Sequence, residues 1–155
     1  MKIGTIPKGN LVAEIELTYT PRVKVSALPK IENSFDAYEI FLENWDKSKL
    51  EFVEQFKVLL VNRANKVLGI CTLSTGCGSG TVVDVKMIFA VALKSNASGI
   101  VIAHNHPSGK LIPSDYDIAI TKKVDKAGEL LELPLLDHLI ITVDGFYSFK
   151  DKGAF

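Results

Sequence analysis

Three short apolar runs, Val58–Val61, Gly99–Ala103 and Leu139–Val143, constrain the fold of this chain more than any other feature. Each has the length of a strand and falls far short of the roughly 20 apolar residues that cross a bilayer as a helix. The first is dense in Val and Leu, as strands covered on both faces are. Between the runs lie segments with helical spacing. Asp84 stands before one of them as a cap, with Met87, Ile88, Val91 and Ala92 facing inward. Another starts near Pro113 and carries Ile120, Val124, Ala127 and Leu131 on one stripe. Strands interleaved with helices and joined in part by hairpins predict the α/β class, a mixed β-sheet flanked by helices.

The chain divides into an arm and a domain. In residues 1–30, Leu11–Thr18 alternates apolar and polar like an edge strand, and Pro21 and Pro29 punctuate an extended connection. We read this stretch as a strand-like arm laid on the domain or on a partner subunit, a route to a homo-oligomer. Residues 31–155 form the domain. Ser34 is the expected cap of a first helix bearing Phe35, Tyr38, Leu42 and Trp45. Phe52–Asn62 reads as a strand, turned by Arg63–Lys66 into a second strand at Val67–Leu73. A glycine-rich stretch, Ser74–Thr81, comes next, and strands at Leu135–Val143 and Tyr147–Phe149 close the chain around an Asp144-Gly145 turn.

At 155 residues, 47% apolar and 23% charged, the composition is that of one globular domain. Lys plus Arg equals Asp plus Glu, 18 against 18, so no global field draws the chain to nucleic acid or an anionic membrane. The first ten residues hold no apolar run of the signal-peptide kind, so the expected compartment is the cytoplasm, with Cys71 and Cys77 as free thiols.

Chemistry concentrates where the Gly99–Ala103 run ends. Two of the three histidines, His104 and His106, stand there before a Pro-Ser-Gly break. Side chains at i and i+2 of an extended segment point the same way, which lets both imidazoles converge on one ion. A zinc site needs a third protein ligand. Asp117 lies three residues before Ile120, on the inward stripe of the helix that starts near Pro113. An inward carboxylate costs several kcal/mol unless it is paired or bound to a metal. Each element has a plainer reading: a His-x-His pair as a loop feature, and Ser114-x-x-Asp117 as a capping box. Taken together, the tight spacing and convergent faces favour a metal site at His104, His106 and Asp117, with a position left for water. Asn105 and Ser108 are expected to order the loop rather than react.

These residues carry a resemblance. His104-x-His106, Pro107, Ser114 and Asp117 resemble the JAMM motif of JAB/MPN metallohydrolases. The string His104-Asn105-His106-Pro107-Ser108-Gly109, with Asp137-His138-Leu139-Ile140-Ile141 further on, looks like the RadC-like branch. The similarity covers about residues 31–155. It implies a mixed sheet flanked by helices, similar to the cytidine-deaminase architecture, and zinc held by His104, His106 and Asp117. It also implies that Ser114 stabilises an oxyanion and that an upstream Glu acts as general base. Glu54-Gln55-Phe56 matches the Glu-x-Phe that opens the first long strand in this branch, and Glu54 shares parity with Phe56, Val58 and Leu60; Glu51 is the alternative.

The activity so implied is that of a zinc metallopeptidase, hydrolysing an amide or isopeptide bond of a peptide or other amide-containing substrate. Two further readings stand beside it: a non-catalytic binding module of the same fold, and a DNA repair or recombination accessory, the label this branch carries. The balanced charge and the lack of a helix-hairpin-helix segment weigh against the last. A Pro-Arg-Glu run common in the family before the second helix is replaced here by Asp84-Val85-Lys86. His138, at the start of an apolar strand, reads as a hydrogen-bonded core residue or a support to the site rather than as a ligand.

Overall fold

The computed structural model describes residues 22–76 and 82–155. The strand expected at Leu11–Thr18, Cys77 and the centre of the glycine-rich stretch lie outside the described residues. Five strands form one sheet in the order β2-β1-β3-β4-β5. They are β1 (Gln55–Val61), β2 (Val67–Thr75), β3 (Gly99–Asn105), β4 (Leu135–Thr142) and β5 (Gly145–Ser148). The helices are α1 (Ser34–Glu43), α2 (Lys47–Leu50), α3 (Val85–Lys94) and α4 (Asp115–Leu130). β1 pairs antiparallel with both β2 and β3, and β4 with β5, whereas β3 and β4 are parallel because α4 crosses over between them. The fold is therefore the mixed, helix-flanked α/β sheet that the sequence predicts.

Alternation along β1 and β3 feeds two cores. Leu59, Val61, Val101, Ala103, Leu139 and Ile141 meet Tyr38, Phe41 and Trp45 of the α1 side. Phe56, Val58, Leu60, Ile100 and Ile102 meet Ile88, Phe89 and Ala92 of α3 and Ile120 and Val124 of α4. The parity that carries Ile100 and Ile102 into the second core carries His104 onto that same face. The chain turns back tightly after α4, where a Cβ on Gly128 would stand 2.5 Å from the Leu133 carbonyl oxygen.

Several local expectations shift. Asn33 rather than Ser34 caps α1: its side chain accepts from the Asp36 N–H, while the Asp36 carboxylate takes the Asn33 N–H. A box built from Ser34 would have needed a carboxylate at position 37, which is alanine. Phe35 is exposed, and Phe41 takes an inward place instead. β1 begins at Gln55, not Phe52, because Asp46 caps the short helix α2 ahead of it. β2 extends to Thr75. Asp84 does cap α3, but Phe89 takes the inward place expected of Met87. Leu131 lies past the end of α4 and is exposed, with Leu133 filling the core instead. None of the helices among the described residues is long and apolar enough to cross a membrane.

Candidate metal centre

β3 is the central strand, flanked by β1 and β4, and it delivers His104 to the sheet's end with Phe56 and Ile140 as its lateral neighbours. His106 stands one residue beyond the strand, its N–H bonded to the Ile141 carbonyl. Gly109 then adopts φ 75°, a left-handed conformation that glycine takes without steric cost. That turn brings the Lys110 carbonyl back to within 2.7 Å of His106 Nδ1. Asp117 enters from the first turn of α4. Ser114 caps the helix by accepting from the Asp117 N–H, while Asp117 Oδ2 accepts from both the N–H and the hydroxyl of Ser114, each at 2.7 Å. The capping box anticipated as the plainer reading is present, and it also aims the carboxylate.

One ligand atom from each of His104, His106 and Asp117 falls within a 4.8 Å triangle. His104 Nε2 lies 3.0 Å from His106 Nε2 and 3.2 Å from Asp117 Oδ1. His106 Nε2 stands 3.7 Å from Asp117 Oδ2. His104 and Asp117 are buried and His106 is partly exposed, so the cluster opens to solvent at His106.

The hydrogen bonds behind the cluster fix the protons on its rings. A carbonyl only accepts, so His106 Nδ1 donates to Lys110, which leaves Nε2 of a neutral ring as a lone pair. The same logic runs through His138, fully buried on β4. The Thr121 hydroxyl donates to the Asp117 carbonyl and must accept from His138 Nδ1, 2.6 Å away. His138 Nε2 is then an acceptor, and His104 Nδ1, at 2.9 Å, donates to it. Burial holds His138 neutral by lowering its pKa well below the usual histidine value. Its ring stacks on Phe149 at 4.5 Å between centroids, and Phe56 lies parallel to His104 at 6.4 Å. As neutral rings, His104 and His106 therefore both turn an Nε2 lone pair towards the Asp117 carboxylate. Three acceptors at one point require a cation, and two imidazoles with one carboxylate are a donor set that fits zinc.

Electrostatics agree with that geometry. The hydrogen bond to Asp117 raises the pKa of His106 against the opposing effect of desolvation, with the Lys110 carbonyl and the charges of Asp117 and Glu54 adding to the rise. Desolvation acts to raise Asp117, but its bonds to His104, His106 and Ser114 outweigh this and hold it well below the usual carboxylate range. Without a metal, a proton is the cation the cluster attracts.

Glu54 immediately precedes β1 and is half-buried; its carbonyl accepts from the Gly76 N–H at 2.8 Å. It shares parity with Phe56, which lies against His104, and its charge is felt at His106. Glu51 caps the end of α2 and is exposed. Ser114 is beside the cluster, with its one hydroxyl hydrogen directed at Asp117. Cys71 is a free thiol on β2. Sequence reasoning missed Thr121, although it carried a signal: a polar residue at i+4 from Asp117 on the same helix stripe. It placed Asn105 in the loop, whereas Asn105 is the last residue of β3.

A mixed α/β sheet presenting a His-His-Asp cluster at the end of its central strand describes the JAB class of domain. The RadC-like JAB domain model matches residues 31–154, and the chain belongs to that family. It is similar to the UPF0758 protein of Flavobacterium johnsoniae, 42% identical over 154 residues that make up 99% of this chain and 66% of that one. The UPF0758 proteins of Alkaliphilus metalliredigens and Thermotoga maritima are 34% and 31% identical, over 97% of this chain and 64% and 67% of their own lengths. The chain thus spans about two thirds of the length of these relatives.

Proposed function

We propose that this domain is a zinc-dependent hydrolase that cleaves an amide or isopeptide bond in a peptide-like substrate. The observation that carries the reading is the convergence of one ring nitrogen each of His104 and His106 and a carboxylate oxygen of Asp117 within 4.8 Å, with the other ring nitrogen of each histidine held by a partner behind the cluster. His104, His106 and Asp117 would hold the ion. Bound there, zinc supplies Lewis acidity that polarises a carbonyl and lowers the pKa of water to near 7.

The chain's own residues do the rest. Glu54, whose charge acts on His106, takes a proton from the attacking water and returns it to the leaving amine. Ser114 turns its hydroxyl from Asp117 towards the oxyanion that develops on the substrate carbonyl. His138 and Thr121 keep His104 in the tautomer that presents Nε2. Opening at His106 gives the substrate access, while Phe56 and the α4 side exclude water from the rear.

A screen of linear and isopeptide-linked peptides, read by mass spectrometry with the zinc-loaded protein, tests this reading. Cleavage by the unaltered chain that falls by roughly 10²–10⁴ in Glu54→Gln is the expected result. Equal cleavage by both proteins removes Glu54 from the mechanism. Zinc binding with no cleavage of any member of the screen favours a binding module.

A further inference from the structure

The residue between the two histidines points away from them. Alternation on β3 sends Asn105 to the α1 side of the sheet, where it is fully buried. Its side-chain amide is engaged at both ends. Oδ1 accepts from the Gln55 N–H at 2.7 Å, and Nδ2 donates to the carbonyls of Leu50 and Val53 at 2.7 and 2.9 Å. Val53 and Gln55 are the residues on either side of Glu54. The backbone pairing between β1 and β3 stops at Phe56, opposite His104, so the sheet's own ladder does not hold this segment on the β3 side. Asn105 takes over where that ladder ends.

We propose that Asn105 is a positioning residue that fixes Glu54 relative to His104 and His106. The triplet His104-Asn105-His106 then does two jobs from one stretch of chain. Its outer members would hold the ion, and its middle member grips the backbone on both sides of the proposed base. Only an amide suits the middle position, because the segment offers one N–H and two carbonyls, calling for an acceptor and a double donor on one planar group. A carboxylate would set an acceptor against both carbonyls, and alanine would leave one N–H and two carbonyls without this partner. The inference rests on Glu54 being the general base.

The test uses cobalt(II) in place of zinc and protein labelled with ¹³C at the glutamate carboxyls, with the Glu54 resonance identified by its loss in Glu54→Gln. Paramagnetic relaxation falls steeply with distance from the ion, so it reads the placement of Glu54 without any substrate. In the unaltered chain the Glu54 carboxyl should be strongly relaxed. In Asn105→Ala one cobalt per chain should still bind while relaxation of Glu54 falls several-fold. Asn105→Ser serves as the second variant, since its hydroxyl and the water its smaller volume admits satisfy the freed backbone groups. Cobalt bound with the Glu54 relaxation unchanged in both variants overturns the role of Asn105 and leaves Glu54 as the base. Loss of cobalt itself in the variants also overturns it, by showing that Asn105 acts on the histidines. An unaltered chain that binds cobalt without relaxing Glu54 overturns the base and this inference together.

Discussion

His138 Nε2 lies 2.9 Å from His104 Nδ1, and the direction of that hydrogen bond is set two links away, where the Thr121 hydroxyl donates to the Asp117 carbonyl. The chain of bonds starts at one proposed ligand and ends on the backbone of another, so two ligands from different elements share a single support. Removing the hydroxyl with Thr121→Val breaks the chain while keeping the side chain's volume. Metal affinity measured by competition with a chelator should drop by about 10- to 100-fold, the usual range for outer hydrogen-bond partners of a metal site. Thr121→Ser should recover most of it. An unchanged affinity in Thr121→Val would mean that packing alone orients His104.

Metal binding should release protons at neutral pH. His106 in the metal-free fold has its pKa raised above 6.5, chiefly by the bond to Asp117, so below that raised value a proton occupies the nitrogen the metal needs. A raised histidine favours the metal-free fold at low pH, and this contribution disappears as pH rises through the folded pKa. Apparent zinc affinity should therefore climb through neutrality and level off above it. Calorimetric titrations of the unaltered chain in buffers of different ionisation enthalpy measure the proton release, which should shrink as the pH is raised.

Asp137 sits on the opposite face from its neighbour His138 and has a different task. Its buried carboxylate accepts from the Ser148 hydroxyl at 2.7 Å and from the N–H groups of His138 and Lys150, anchoring β5 and the turn after it. Desolvation raises its pKa above the usual 3.8, more than those bonds lower it. The folded state thus holds this proton more tightly than the unfolded chain does, and stability contributed here is lost as pH rises from about 4 upward. Asparagine can keep both backbone bonds through its oxygen and donate to Ser148. The melting temperature of Asp137→Asn relative to the unaltered chain should rise between pH 4 and pH 7. A difference independent of pH would show that Asp137 has the same pKa in the folded and unfolded chain.

How far the sequence reached depended on whether a feature was local. Asp84 as a cap, the Arg63–Lys66 turn and the covered strand around Val58–Val61 arise from neighbouring residues, and the structure has all three. His104, His106 and Asp117 could be brought together because strand and helix periods place them on facing surfaces, and the structure sets them within 4.8 Å. Choices between adjacent residues were harder. Asn33 displaced Ser34 through the carboxylate of Asp36, three residues on. The supports of the site were legible in kind at most. His138 could be read as a hydrogen-bonded support, but its partner His104 lies 34 positions away, and Asn105 reaches Leu50 across 55. Those are contacts that only the strand order β1-β3-β4 creates.

Metal content measured across three proteins purified without chelator tests the central claim most directly: the unaltered chain, Asp117→Asn and Glu54→Gln. Asp117 supplies the only carboxylate of the cluster, whereas Glu54 is proposed to act on water and not on the ion. Elemental analysis should find about one zinc per chain in the unaltered protein and in Glu54→Gln, and much less in Asp117→Asn. No transition metal in a folded, unaltered chain would contradict the metal centre itself. Zinc lost equally from Glu54→Gln and Asp117→Asn would contradict the separation of base from ligand on which the mechanism stands.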